Sequence, residues 1–242
     1  MLQSATSREA LDRDLAQGSI DRISRIALLT DLLDQTYGRL RRRLNGLTDD
    51  EFFWQPVADA WTIFEDRPGH WTYDYATPDP DPAPVTTIGW QIVHVATCKL
   101  MYHEWAYGPA KLTWPELTIP DSASGAVALL DEGQELLEAD LQGLTEDDLD
   151  SPRRTNWGEI WPAWRMFTVL IDHDALHGGA IGQMRDLYYW SHGAQLVADR
   201  AADGYWNSIR WPSGSATTNV RSPQPRARGR SRGSIPFLRS RA

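Results

Sequence analysis

Cysteine is nearly missing from this chain of 242 residues. With Cys98 as the sole thiol, no intramolecular disulfide can form and no multi-cysteine zinc site can be built. Any metal would have to rest on histidine and carboxylate. Long apolar runs are absent too, with no uninterrupted stretch near the ~20 residues of a membrane span. The opening "MLQSATSREALDRDLAQGSI" has neither the basic head nor the apolar core of a secretory signal. The expectation is a soluble, cytoplasmic protein with no membrane partner. Alternating runs long enough to build a β-sheet are also lacking.

What is present is ample core material, 41% apolar residues with 12 Trp. The net charge of −9 is unevenly spread. Residues 213–242 carry seven arginines and no acid, which leaves 17 basic against 33 acidic residues elsewhere. So acidic a body repels nucleic acid. The tail, rich in Ser, Pro, Gly and Arg without apolar period, is expected to be disordered. The expected division is a polar segment 1–18, a helical domain 19–212 and the Arg-rich tail 213–242.

Four segments have helical periodicity. In Ser19–Leu44 the residues Ile23, Ile26, Leu33, Tyr37, Leu40 and Leu44 share a face, and Asn45-Gly46 supplies the stop. Between Thr86 and Tyr107, the stripe is Trp90, His94, Cys98, Met101 and Trp105. A third helix covers Ser122–Leu141. A fourth, Trp161–Tyr189, aligns Met166, Leu170, His173, His177, Met184 and Tyr188. The fold class is therefore all-α.

The first and third helices end alike, in "LNGLTDDEFF" and "LQGLTEDDLD", each a glycine exit followed by a Thr able to cap a new turn. Glu51 takes the capping-box position in the first copy. Helix two is ~33 Å long, and the link from Gly108 to Asp121 spans up to ~45 Å when extended, enough for a crossover between parallel helices two and three. About forty residues join helices one and two, an aromatic-rich loop of the kind that walls a site.

His173 and His177 lie one turn apart in a stripe that should face the core, and His94 holds the equivalent place in helix two. Facing helices can bring the three imidazoles to one point, and three neutral imidazoles with an open position suit a divalent metal. Zinc is the commonest choice, with nickel, manganese, cobalt and iron as alternatives. Gly178 and Gly179, directly after His177, let a backbone or ligand come close. The zinc-protease patterns fail, because Asp174 stands where H-E-x-x-H needs Glu and Leu176 where H-x-x-E-H needs it.

The pairing of "TIGWQIVHVATCKLMYHE" with "DHDALHGGAIGQMRDLY", supported by "GLTDDEFFWQP" and "PDPAPVTTIGW", resembles the DinB/YfiT-like superfamily of metalloenzymes, which includes mycothiol-dependent maleylpyruvate isomerases. The resemblance covers roughly residues 20–192. It implies a four-helix bundle in up-down-down-up order, homodimers in several members, and His94, His173 and His177 as metal ligands. It also implies a small-molecule substrate and a low-molecular-weight thiol cosubstrate, such as mycothiol or bacillithiol, for S-transfer or isomerisation. Two other classes fit the same residues: a metal hydrolase on the three histidines, and a non-catalytic bundle that binds a metal or ligand.

Further residues have two readings each. Cys98, one turn after His94, is a buried structural thiol, or else a fourth ligand or nucleophile. Asp172 and Asp174 are solvated acids, or orient an imidazole. Arg185 and Tyr188 could face the site mouth, and Trp54, Trp61 and Trp71 could stack on a sugar-containing thiol or simply bury the loop. His103 should point away.

Overall fold

Ser24 opens the first helix of the computed structural model, in which residues 23–78 and 80–192 are described. Its hydroxyl accepts from the Ala27 amide at 3.1 Å, and α1 runs Arg25–Arg43. Arg41, Arg42 and Arg43 fill the last turn, where positive charge complements the helix dipole. Its buried positions Leu29, Leu33, Thr36 and Leu40 step by four and three along one face. The expected start at Ser19, the segment 1–18 and the tail 213–242 lie outside the described residues. The chain divides into Met1–Ile209 and Arg210–Ala242, and everything described belongs to the first.

Helices dominate the rest: α2 (Asp49–Phe52), α3 (Ile88–Ala106), α4 (Ala123–Gln142) and α5 (Ala163–His192). Hydroxyl caps start α3, where Thr87 accepts from the Trp90 amide at 3.1 Å, and α4, where Ser122 accepts from Gly125 at 3.3 Å. The four long helices pack as α1 on α5 and α3 on α4, with α3 also meeting α5 and α1 meeting α4. Ile88, Ile92, Val93, Val95 and Ala96 are all fully buried, so α3 is enclosed on most sides rather than along one stripe. It meets α4 closely at Gly133, where a Cβ would stand 2.9 Å from Lys99 Cβ and 3.3 Å from the Ala96 carbonyl. No described helix is long and apolar enough to cross a membrane.

The aromatic-rich loop expected between the first two long helices has regular structure of its own. It contains α2 and an antiparallel hairpin, β1 (Ile63–Arg67) and β2 (His70–Tyr73), turning at Gly69 with φ 75°. A second hairpin, β3 (Pro152–Arg154) and β4 (Ile160–Pro162), claims Trp161, so the last helix starts at Ala163. Strands of three to five residues are too short for alternation to register in a sequence window. The first hairpin is tied to the start of α3: Trp61 donates to the Val85 carbonyl and accepts from the Thr87 amide, both at 2.8 Å. Trp90 Nε1 donates to the Asp74 carbonyl at 2.7 Å.

The twin helix exits fold alike. Thr48 Oγ1 accepts from the Glu51 amide at 3.3 Å, and Thr145 Oγ1 accepts from the Asp148 amide at 3.3 Å. Four residues after each threonine, Phe52 and Leu149 are fully buried. Only the second copy closes the reciprocal half of the box, Asp148 accepting from the Thr145 amide at 2.9 Å. The carboxylate of Glu51 is engaged elsewhere, by Arg185.

Candidate metal centre

Two helices meet to form the site. α3 presents His94 and α5 presents His173 and His177, with His173 Nε2 standing 3.0 Å from His94 Nε2. Ligand-capable atoms of all three imidazoles lie within 4.8 Å of one another. Burial pushes His94 and His177 down to about 4 and His173 to about 2, the last also repelled by its two neighbours and by Lys99. All three are therefore neutral at pH 7, each offering one lone pair.

Neighbouring side chains set which nitrogen carries the proton. The Oε1 of Gln91 can only accept, so its bond with His177 Nδ1 places the hydrogen there and leaves the Nε2 lone pair free. Gln91 is itself held, its Nε2 donating to Thr86 Oγ1 at 2.5 Å. Trp90 stacks on His94 at 4.8 Å and 13°, with Trp61 backing it at 5.7 Å. Cys98 Sγ lies 4.0 Å from His94 Nδ1, the nitrogen that does not face His173.

This donor set fits a divalent cation on two counts. The 3.0 Å approach of His94 Nε2 to His173 Nε2 aims two ring nitrogens at one point, where each offers a lone pair to a shared cation when its ring carries the proton on Nδ1. His173 Nδ1 is buried with no hydrogen-bond partner, so no neighbour competes for this ring's tautomer and its Nε2 is free to face a cation. Three imidazoles without a carboxylate suit zinc, nickel, cobalt or iron better than calcium or magnesium.

His94 and Cys98 also line a cavity of about 940 Å³. Its walls come from β2, from the link between α3 and α4, and from the β3–β4 turn, with Trp71, Trp114 and Trp157 among them.

The DinB superfamily model matches residues 32–181, more than half of the chain and all three histidines. The chain belongs to the DinB superfamily. No curated protein matches it.

Within this DinB-superfamily chain the remaining expected residues fall into place, some with corrections. Cys98 stands outside the cluster of converging ligand atoms, and burial pushes its thiol up to about 12. It is neither a fourth ligand in this arrangement nor a ready thiolate. Asp172 is exposed, but Asp174 is no solvated acid: it is buried and bonded to Lys99 Nζ at 2.7 Å. Arg185 is not at a site mouth. Only 1% exposed, it forks onto Glu51 at 2.8 and 2.9 Å and donates to the Arg43 and Asn45 carbonyls, tying α5 to the end of α1.

Tyr188 packs on Trp54 and His192 over a separate surface hollow. Of the three loop tryptophans expected near the site, Trp71 lines the cavity, Trp61 supports Trp90, and Trp54 belongs to that other hollow. His103 does point away, to Asp140 at 2.8 Å. Gly178 abuts Leu40 of α1, where a Cβ would stand at 3.3 Å, whereas Gly179 faces open space and has no such neighbour.

The residues missed in the sequence are Gln91, Lys99 and the hairpin residue Asp74. Gln91 carried a usable signal, because it precedes His94 by three positions and so shares its face of the helix. Lys99 and Asp74 had none, their partners lying 75 and 16 residues away.

Proposed function

We propose that this chain is a metal-dependent enzyme that holds a divalent metal, zinc first among the choices, on His94, His173 and His177. We further propose that it acts on a low-molecular-weight thiol as an S-transferase or isomerase. The observation that carries this reading is the continuity of the three-histidine cluster, through His94, with a large aromatic-walled cavity. A bound divalent cation favours the thiolate form of a thiol beside it, which is the nucleophilic form.

The protein's own side chains supply the setting. Gln91 fixes the tautomer of His177, and Trp90 holds the plane of His94. Cys98 stands outside the three converging ligand atoms, which leaves the role of nucleophile to a diffusible thiol. The tryptophan walls exclude water from the ligand they enclose. The four long helices are read as an up-down-down-up bundle, a reading supported by the pairing of α1 with α5 and of α3 with α4.

The test uses zinc-supplemented protein with mycothiol, bacillithiol or glutathione and the electrophile monobromobimane. Conjugation above the spontaneous rate is expected with at least one thiol, is lost in His177→Ala, and persists in Cys98→Ala. Zinc-dependent hydrolysis of p-nitrophenyl acetate with no response to any of the thiols would overturn the thiol reading in favour of a hydrolase.

A further inference from the structure

The cavity beside His94 has no carboxylate on its lining among the described residues, in a chain that carries 33 acidic residues. Its walls are not poor in acid by sequence. Segments 62–77, 112–119 and 155–161, which build them, contain Glu65, Asp66, Asp74, Glu116 and Glu159. Each of these is turned to a donor nearby. Glu65 accepts from the Gly69 amide at 2.6 Å, Asp74 from the Thr62 amide at 2.8 Å, and Glu159 from the Trp161 indole at 2.8 Å. Glu116 accepts from the amide and the hydroxyl of Thr113 at 2.8 and 2.7 Å, and Asp66 is paired with His70.

The same segments carry two basic side chains, Arg67 and His70, and both line the cavity. His70 already has Asp66 as its counter-charge. Arg67 has no hydrogen bond or ion pair among the described residues. The register of the hairpin shifts between Glu65 and Arg67, so that Arg67 stands across from His70 instead of from Gly69. Its guanidinium is the one permanent charge on the lining. Around it Trp71, Trp114, Trp157 and Leu117 supply flat and apolar surface, and about 940 Å³ is room for a drug-sized ligand. A cation would meet only positive groups here, and a neutral apolar molecule would leave the guanidinium unused. An organic anion satisfies both the walls and the charge.

We propose that this cavity takes a ring-bearing organic carboxylate, with Arg67 as the residue that selects the negative charge. The planar fork of a guanidinium matches a carboxylate. Naming that carboxylate the second substrate rests on the proposed function above; its binding does not.

The full chain, treated with chelator so that no metal can hold the carboxylate, is titrated calorimetrically with 2-naphthoate, its neutral counterpart 2-naphthamide and the cation 2-naphthylmethylammonium. One naphthoate per chain is expected, bound about five- to tenfold more tightly than the amide, with the cation weaker still. Arg67→Gln should bring naphthoate down to the level of the amide and leave the amide itself within about twofold. Raised salt should weaken naphthoate in the parent and not in the variant. Trp157→Ala, which strips one wall, should weaken naphthoate and amide together.

Because Arg67 is exposed and has no partner in the protein, Arg67→Gln should melt with the parent, so loss of fold does not confuse the result. Absence of naphthoate binding, equal affinity for naphthoate and amide, tighter binding of the cation, an anion preference that survives in Arg67→Gln, or indifference to Trp157→Ala would each overturn the proposal. The two readings fail separately. A chain that takes up zinc but shows no anion preference keeps its metal and loses this inference, whereas one that binds naphthoate through Arg67 and takes up no zinc loses the metal reading alone.

Discussion

Lys99→Met and Asp174→Ala, made singly, should each destabilise the fold by about 3–5 kcal/mol, because each leaves one uncompensated charge in a fully enclosed place. Both side chains are 0% exposed and meet at 2.7 Å. Lys99 Nζ also donates to Gln134 Oε1 at 2.9 Å and stands 5.4 Å from the centre of the Tyr37 ring, whereas Asp174 Oδ1 has no hydrogen-bond partner. Burial pushes the ammonium down and the carboxyl up in pKa, and the contact between them opposes both shifts. The double variant Lys99→Met/Asp174→Leu, which removes both charges and keeps the volume, should recover most of the loss. Urea titration of the four proteins checks this. Single variants within about 1 kcal/mol of the parent would mean that water reaches the pair.

Zinc should stabilise the protein strongly near neutral pH. At about a thousand times its dissociation constant, a ligand bound only by the folded state adds ~4 kcal/mol, which for a domain of this size raises the melting temperature by about 8–16 °C. The metal-free protein has a pH dependence of definite sign. His94 and His177 have folded pKa values of about 4, below the ~6.5 of the unfolded chain. Between these values the unfolded state binds protons that the folded state does not. Stability is therefore complete above about pH 6.5 and falls as the pH is lowered toward 4, by up to ~3 kcal/mol per histidine. Calorimetry of chelator-treated protein from pH 7.5 to 4 should follow this fall. Replacement of His177 by Gln should flatten part of it. A zinc-independent melting temperature at pH 7.5 would contradict the prediction.

The parts of this account that were legible in the sequence share one property: they repeat within a single helix. The spacing of His173 and His177 places them on one face whatever α5 packs against, and His94 shares a face of its own helix with Trp90 and Cys98. Cap hydroxyls at Thr48 and Thr145 are local for the same reason. What escaped depends on contacts between distant segments. Asp174 reads as a helix-surface acid until Lys99 is seen opposite it, and Arg185 reads as a mouth residue until Glu51 closes on it. The hairpin β1–β2 was hidden by its brevity, yet it supplies Trp71 and Tyr73 to the cavity and the Asp74 carbonyl that holds Trp90 against His94. The walls of the site were thus less readable than its centre.

The central claim is that three neutral imidazoles from two helices hold one divalent metal. Elemental analysis of the purified chain and of His177→Ala, each exposed to zinc, nickel and manganese and then freed of loosely bound ions, tests it most directly. The account predicts about one metal per parent chain and a large loss in the variant. A parent that remains metal-free in the presence of all three ions would contradict it and leave the histidines as structural groups alone.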